Sequence, residues 1–265
     1  MTYLKSITSL AAAALFVFAG AHRAAGQSLS QRVSDVRDGS VRITFNVKPG
    51  ICGQGNSIRR DGGSTNWGND QSQDVEWEGN CYSGPGRLVL DRQSGETVAL
   101  RFYVGGRWRP RAGVTDLGMI SAPEVASYLT TIAQTANGRL AGKAIFPATL
   151  VDSANVWPAF LRLARDQSRP QEPRKQAVFW LGQAAGDSAT VHLTSLASDD
   201  DVDREVRKQA VFALSQRPAS EGVPALISIA KSNRDPELRK NALFWLGQSN
   251  DPRAIDLFEE LILRK

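Results

Sequence analysis

Residues 174–183 read RKQAVFWLGQ, and two close copies of this decamer follow, RKQAVFALSQ at 207–216 and RKNALFWLGQ at 239–248. Successive copies begin 33 and 32 residues apart. Self-similarity at a fixed period of this length is typical of solenoids, in which each repeat buries its apolar face against its neighbours. The decamer therefore predicts a stack of helix pairs in the second half of the chain.

Capping signals divide this half into individual helices. The segment Asp235–Glu237 supplies an N-cap acid, a proline in the first turn and a negative charge at the positive end of a helix. Asp251 and Pro252 repeat that start, and Asp203 aligns with Asp235. We predict a last amphipathic helix over 252–264, preceded by four helix pairs that begin near residues 122, 155, 188 and 221.

The repeats resemble the HEAT repeat family, in particular the short HEAT-like repeats of the phycobilin-lyase type. The motif that carries the resemblance is Asp-x-x-Val/Leu-Arg-x-x-Ala-x-x-x-Leu. It stands here as Asp203, Val206, Arg207, Ala210 and Leu214, and again as Asp235, Leu238, Arg239, Ala242 and Leu246. The copy at Arg174 has no acid at the corresponding position. The resemblance implies an all-α HEAT-like solenoid over residues 119–265 that serves as a binding scaffold.

The first half of the chain has the period of β-strands. Residues 41–47, VRITFNV, alternate apolar and polar side chains, which indicates a strand with one buried face. RLVLD (87–91) and TVALRFYV (97–104) flank a turn and indicate a hairpin. We predict a small β-rich domain over residues 27–112, with 109–113 as the linker to the helices. This half loosely resembles the N-terminal segment of exported bacterial HEAT proteins.

The N-terminus has the three-part form of a cleavable signal peptide. Lys5 lies in the positively charged end, LAAAALFVF (10–18) is the apolar stretch, and small residues follow. Cleavage after Ala21 or Gly26 fits, and we predict a signal peptide over 1–26. The alternative is an uncleaved N-terminal anchor, although the apolar run is short for a membrane span. We expect an exported protein, periplasmic or extracellular, with no stable membrane span after cleavage.

The charge of the chain is mild. Removal of the signal peptide leaves 30 basic and 27 acidic side chains, a net charge of +3. A charge of this size does not point to nucleic acid as a partner, and an exported protein would rarely meet any.

Cys52 and Cys81 are the two cysteines of the sequence, and both lie in the β-rich segment. In an oxidising compartment such a pair most often forms a disulfide. This disulfide would stabilise the fold by about 3 kcal/mol in the chain-entropy model. Two unpaired buried thiols are the alternative. Because only His192 remains as a histidine after cleavage, a zinc site lacks ligands, and we expect neither a metal nor a cofactor.

A helical wheel places one side of each decamer away from the core. With Val206 at 0°, Lys208 falls at about 200° and Phe212 at about 240°. In a HEAT-type stack the second helix of each pair lines the concave side. The recurring pairs therefore predict a strip there that binds a protein or peptide: Lys175 with Phe179, Lys208 with Phe212, and Lys240 with Phe244. A compatible alternative is that the rings pack on one another across repeats.

The recurring arginines lie at the edge of the apolar stripe. Arg207 stands four residues after Asp203, and Arg239 stands four after Asp235. We interpret them as an acid–base ladder that ties each helix start to itself or to the next repeat. A row of arginines that binds anions is the alternative.

Other candidate groups lie in the β-rich segment. The acids there are Asp61, Asp70, Asp74, Glu76 and Glu78, and the aromatic residues are Trp67, Trp77, Tyr82 and Trp108. We expect the acids to be solvated or paired with arginine, with calcium binding as the alternative. The rings either form the small core of the domain or stack on sugars.

Catalysis has little support in the sequence. His192 stands among apolar and hydroxyl residues and is expected to be structural. We therefore expect a non-enzymatic scaffold for a protein or peptide of the cell envelope. The alternative is an envelope glycan-binding protein that acts through the β-rich domain, with an anionic glycan as one candidate ligand. A lyase-like role is a minor alternative that rests on fold analogy alone.

Overall fold

The computed structural model describes residues 26–55, 57–60, 63–66, 73–78, 81–183 and 187–263. The predicted signal peptide lies outside these ranges except for its last residue, and so do Asp61, Trp67 and Asp70. Within the described ranges, no helix combines the length and the apolar character that a bilayer crossing requires.

The chain up to residue 119 forms mostly strands. Its elements are α1 (Leu29–Ser34), β1 (Gly39–Phe45), β2 (Cys52–Gln54), β3 (Ser57–Arg60), β4 (Gly63–Asn66), β5 (Val75–Glu76), β6 (Tyr82–Ser83), β7 (Gly86–Gln93), β8 (Glu96–Val104), β9 (Arg107–Trp108) and β10 (Val114–Met119).

The main sheet has the strand order β10-β1-β7-β8. β7 and β8 form the predicted hairpin, and its turn residues Ser94 and Gly95 both have positive φ, as a tight two-residue turn requires. β10 pairs in parallel with β1, so the sheet extends past residue 112, where the sequence placed its end. Residues 109–113 thus lead from β9 into another strand of the same region, and the interpretation of them as a linker to the helices was wrong.

Strand β1 is buried on both faces, whereas its alternation predicted one buried face. Val41, Ile43 and Phe45 point into the apolar core. On the opposite face Arg42 is also buried, and its guanidinium donates to the carbonyl of Arg109 at 2.8 Å. The charged side chain can be buried because a carbonyl accepts a hydrogen bond from it and a nearby carboxylate balances its charge.

A second sheet, of order β4-β3-β2-β6, carries the disulfide. Cys52 in β2 is bonded to Cys81, which directly precedes β6, and their Cα atoms lie 5.1 Å apart. This separation is usual for a disulfide, and the predicted pairing is confirmed.

The rest of the chain is helical. Its elements are α2 (Ala122–Thr135), α3 (Gly138–Leu150), α4 (Trp157–Arg165), α5 (Gln171–Gly182), α6 (Asp187–Ala197), α7 (Arg204–Ser215), α8 (Ala219–Ser232), α9 (Pro236–Gly247) and α10 (Pro252–Leu263). The pairs α2–α3, α4–α5, α6–α7 and α8–α9 begin within two residues of the predicted positions, and α10 closes the stack as expected.

The β-rich region and the solenoid share one apolar core. Phe102 of β8 lies between the rings of Phe45 and Phe146, at centroid distances of 5.9 and 6.4 Å. Beside these rings, the chain after β1 pairs with the end of α3, where the Lys48 N–H donates to the Leu150 carbonyl at 2.9 Å. The sheet therefore caps the solenoid through packed side chains and backbone hydrogen bonds.

Ion pairs connect successive repeats. Arg174 of α5 is buried and binds Asp203, the residue before α7. Arg207 of α7 binds Asp235, the N-cap of α9, at 3.1 Å. The sequence left open whether each arginine pairs within its own helix start or with the next repeat. The contacts of Arg174 and Arg207 join successive repeats. Arg239 ends the series, and it donates to the backbone carbonyl of Asn233 at 2.7 Å.

The Asp235 carboxylate collects several donors. Arg204 donates to it at 2.7 Å, and the Glu237 N–H donates at 2.9 Å. The Arg204 hydrogen bond holds the pKa of Asp235 below its usual range, helped by the Glu237 N–H and the charge of Arg207 and opposed by burial. The ionised form is therefore the one that the fold stabilises.

We expect Asp235→Asn to lower the melting temperature at neutral pH, because Asn keeps a helix cap but not the ion pairs. A depressed folded pKa contributes stability above the unfolded pKa of about 3.9, and that contribution disappears as the pH falls through the folded value. The difference in melting temperature, followed by circular dichroism, should therefore shrink below about pH 4. Asp256→Asn, at an exposed position of α10, is the control and should change little at any pH. A difference that stays constant with pH would contradict this account.

Reduction of Cys52–Cys81 should loosen the second sheet and leave the main sheet and solenoid folded. The bond ties two short strands of that sheet, whereas β7, β8 and the helices contribute to a continuous core that contains no cysteine. Hydrogen exchange with and without reductant measures this, and faster exchange is expected in 52–60 and 81–83. Equal acceleration in 88–104 would show that the disulfide supports the main sheet as well.

Candidate functional site

The second helix of each pair forms one layer of the stack, in which α3, α5, α7 and α9 pack side by side. Small residues allow this close spacing. A Cβ atom on Gly182 of α5 would lie 2.8 Å from the Cβ of Ala213 of α7, and one on Gly142 of α3 would lie 2.6 Å from the Gln176 side chain. The outward residues of neighbouring helices are therefore brought within contact distance of each other.

The six residues predicted to bind a partner lie on this layer, and we call them the Lys–Phe strip: Lys175, Phe179, Lys208, Phe212, Lys240 and Phe244. Phe179 and Phe212 stack at 6.5 Å with their planes 11° apart. This contact is the ring packing across repeats that the sequence left open as an alternative. Both rings are half-buried, whereas Phe244 is 57% exposed.

Two tryptophans connect the phenylalanine rings to the core. Trp245 contacts Phe212 and Phe244, each at 5.0 Å, and Trp180 contacts Phe179 at 5.1 Å. Trp180 also lies 4.8 Å from Phe146, which joins the strip to the aromatic contacts of the sheet. The rings of the strip are thus backed by two tryptophans that also pack against the core.

Each lysine of the strip is paired with a glutamate three residues earlier on its own helix. The pairs are Glu172–Lys175 at 3.1 Å, Glu205–Lys208 at 3.0 Å and Glu237–Lys240 at 2.9 Å. Sequence analysis considered Glu237 only as a charge at the start of its helix and missed both the other two glutamates and the pairing with lysine, although the three recur at a constant offset from the decamer. Together with these glutamates, the strip has no net charge. Exposed ion pairs contribute little to stability, so a partner can replace the Glu–Lys pairs at a small cost in free energy.

A groove of about 580 Å³ continues the strip towards the N-terminal end of the stack. It lies between α3 and α5, and Arg139, Lys143, Glu172, Gln176 and Trp180 are among its lining residues. The surface of the second-helix layer therefore offers a concave feature beside the aromatic strip.

The acids of the β-rich region do not form a metal site among the described residues. Asp74 is buried and accepts hydrogen bonds from Arg101 at 2.7 Å, Tyr103 at 3.1 Å and Arg111 at 3.2 Å. Glu78 pairs with Arg107 at 3.7 Å on the surface. Asp74 in particular holds the outer face of the main sheet together.

The described aromatic residues of this region are mostly engaged in packing. Trp77 donates to the Val104 carbonyl at 3.0 Å, and Trp108 donates to the Thr44 hydroxyl at 3.1 Å. The guanidinium groups of Arg42 and Arg87 also contact the Trp108 ring, at 4.8 and 5.0 Å from its centroid. Tyr82, at 40% exposure, presents a ring to solvent.

His192 stacks on Trp157 at a centroid distance of 4.6 Å. This contact links α6 to α4 and gives the ring a packing role, as expected from its neighbours in the sequence.

Comparison with known families matches residues 190–265 to the model for HEAT repeats. No curated protein is significantly similar to the chain. The matched region runs from α6 through α10, and the same motif and helix spacing continue into α4 and α5. Residues 190–265 are therefore similar to HEAT repeats, an architecture of protein-interaction scaffolds, and α4 and α5 continue the same stack of helix pairs.

Phe212→Ser should destabilise the protein by about 2 kcal/mol, less than a fully buried phenylalanine would cost because the ring is half-buried. Phe244→Ser should change stability by less than about 1 kcal/mol, since its ring is mostly in solvent. Urea unfolding followed by circular dichroism measures both. Equal losses for the two variants would show that the difference in exposure between Phe212 and Phe244 does not determine how much each ring stabilises the fold.

Proposed function

We propose that this protein is an exported, non-enzymatic scaffold that holds a protein or peptide of the cell envelope against the Lys–Phe strip. The observation that carries the proposal is a row of phenylalanines on one face of a HEAT-repeat solenoid, open to solvent at Phe244. Phenylalanine exposed to water costs free energy, and burial by a partner would recover about 25 cal/mol per Å².

The composition of the strip supports a protein partner. Binding interfaces concentrate their energy in packed aromatic residues surrounded by polar groups. Here the rings are pre-positioned by Trp180 and Trp245, and the Glu–Lys pairs supply a polar margin. A pre-positioned surface loses little conformational entropy on binding.

Two features support export. The N-terminal sequence has the form of a signal peptide, and the disulfide is of the kind that persists in oxidising compartments.

Partner capture should be lost in Phe244→Ser and kept in the wild type. The test is affinity capture from envelope extract of the producing cells, with captured proteins identified by mass spectrometry. Val191→Ser is the matched control, because Val191 is at least as solvent-exposed as Phe244 but lies on α6, outside the second-helix layer. Phe244 is preferred to the inner rings, whose loss would also weaken the fold.

The same partners captured by Phe244→Ser and by the wild type would show that the strip is not the binding surface. Retention on purified cell wall that depends on Tyr82 and not on Phe244 would support the glycan-binding alternative instead. Wall binding is best measured with the full mature chain, since the main sheet shares its core with the helices.

A further inference from the structure

We propose that the cavity between the β-rich region and the α4–α5 pair binds the C-terminal residue of a peptide, with its apolar side chain on the aromatic floor and its carboxylate at Lys48. The inference rests on the proposed function, because it names the part of a partner that the scaffold holds.

The cavity has a volume of about 430 Å³ and walls from both halves of the protein. The segment 48–51 forms one wall, and the other comes from the start of α4 and the end of α5. The volume falls within the range of small-ligand pockets. Trp180 and Gln183 line it and also belong to the decamer that carries the strip, so the cavity adjoins the proposed binding surface.

The floor is apolar and rigid. Ile51, Phe160 and Leu181 are each 2% exposed, while Trp157 and Trp180 present half-buried rings. Each tryptophan is backed by another ring, Trp157 by His192 and Trp180 by Phe146. A floor of this kind suits one large apolar side chain.

Two basic side chains lie at the rim of the cavity. Lys48 and Arg60 line the cavity, and Asp152 is the carboxylate that acts on Lys48. Burial lowers the pKa of the Lys48 ammonium, the charge of Arg60 lowers it further, and Asp152 acts in the opposite direction. With the described residues, the Lys48 ammonium forms no ion pair or hydrogen bond. A carboxylate placed here would gain a charge-assisted hydrogen bond.

Two carboxamides also line the cavity. Asn155 and Gln183 line the cavity with exposed carboxamides, which make no hydrogen bond to the described part of the chain. The two amides and the ammonium can bind a carboxylate, and the apolar floor can bind a side chain. A C-terminal residue carries both groups on its Cα atom and therefore matches the cavity.

The wall at 48–51 is held against the helices by backbone contacts. The Lys48 N–H donates to the Leu150 carbonyl, and the Asp152 N–H donates to the Asn46 carbonyl at 3.0 Å on the other side of the Val47–Val151 bridge. The backbone that carries the Lys48 ammonium is therefore fixed relative to the helices that line the rest of the cavity.

The experiment compares two probes on the full mature protein by titration calorimetry. N-acetyl-L-phenylalanine carries the free carboxylate, and N-acetyl-L-phenylalaninamide has the same ring without the charge. The acid should bind about tenfold more tightly, the usual scale for one charge-assisted hydrogen bond. Lys48→Met, which keeps the aliphatic stem, should abolish that preference. Lys143→Met, at the neighbouring groove beside Trp180, is the control and should preserve it.

Equal binding of the two probes, or a preference that survives Lys48→Met, would overturn the assignment. A C-terminally amidated dipeptide, Asp-Phe-amide, tests the position of the charge. If it binds as tightly as the free acid, the site reads an internal carboxylate and not a chain end. If partner capture still depends on Phe244 in that case, the proposed function remains supported although this site is not. If the free acid binds as expected but partner capture does not depend on Phe244, this site remains supported and the Lys–Phe strip is not the binding surface.

Discussion

A buried arginine has to find hydrogen-bond acceptors inside the protein, and here the acceptor is the start of a helix in the next repeat. Arg174 reaches Asp203, and Arg207 reaches Asp235. An unpaired guanidinium at these depths would be strongly unfavourable, so each contact fixes how far one repeat is displaced from the next. The alignment of the outward rings follows from the same contacts, because α5, α7 and α9 cannot slide past one another without breaking these ion pairs.

The sheet contributes the other fixed end of the molecule. Aromatic contacts run from Phe45 through Phe102 and Phe146 to Trp180, and from there along the strip to Trp245. The N-terminal half is therefore the terminal cap of the solenoid. Caps cover the apolar side of the first repeat, which would otherwise face water.

The helices could be predicted because their signals are local and repeated. A period of 32 to 33 residues, N-cap acids and an apolar stripe all identify the same elements. Strand β10 was missed because a parallel partner is set by contacts distant in sequence, and VTDLGM alternates only weakly. The second buried face of β1 was missed for a related reason. Arg42 looks like a surface residue until Asp74 and the Arg109 carbonyl, both far along the chain, cover it.

The Lys–Phe strip could be located by its spacing, but its charge balance could not be judged from the lysines alone. The wall at 48–51 and the cavity behind it arise from the pairing of residues 46–48 with 150–152, which has no signature in either segment.

The ladder also bears on how such a chain changes length over evolutionary time. The copies that contain Arg207 and Arg239 each bring one acceptor, the aspartate before the second helix, and one donor, the arginine four residues later. Duplication of the segment between Asp203 and Asp235 would supply both members of a new contact at once. No charge would be left without a partner, because the last arginine, Arg239, is satisfied by backbone carbonyls. The number of repeats, and with it the length of partner that the surface can accommodate, is free to vary while the rule that joins neighbours stays the same.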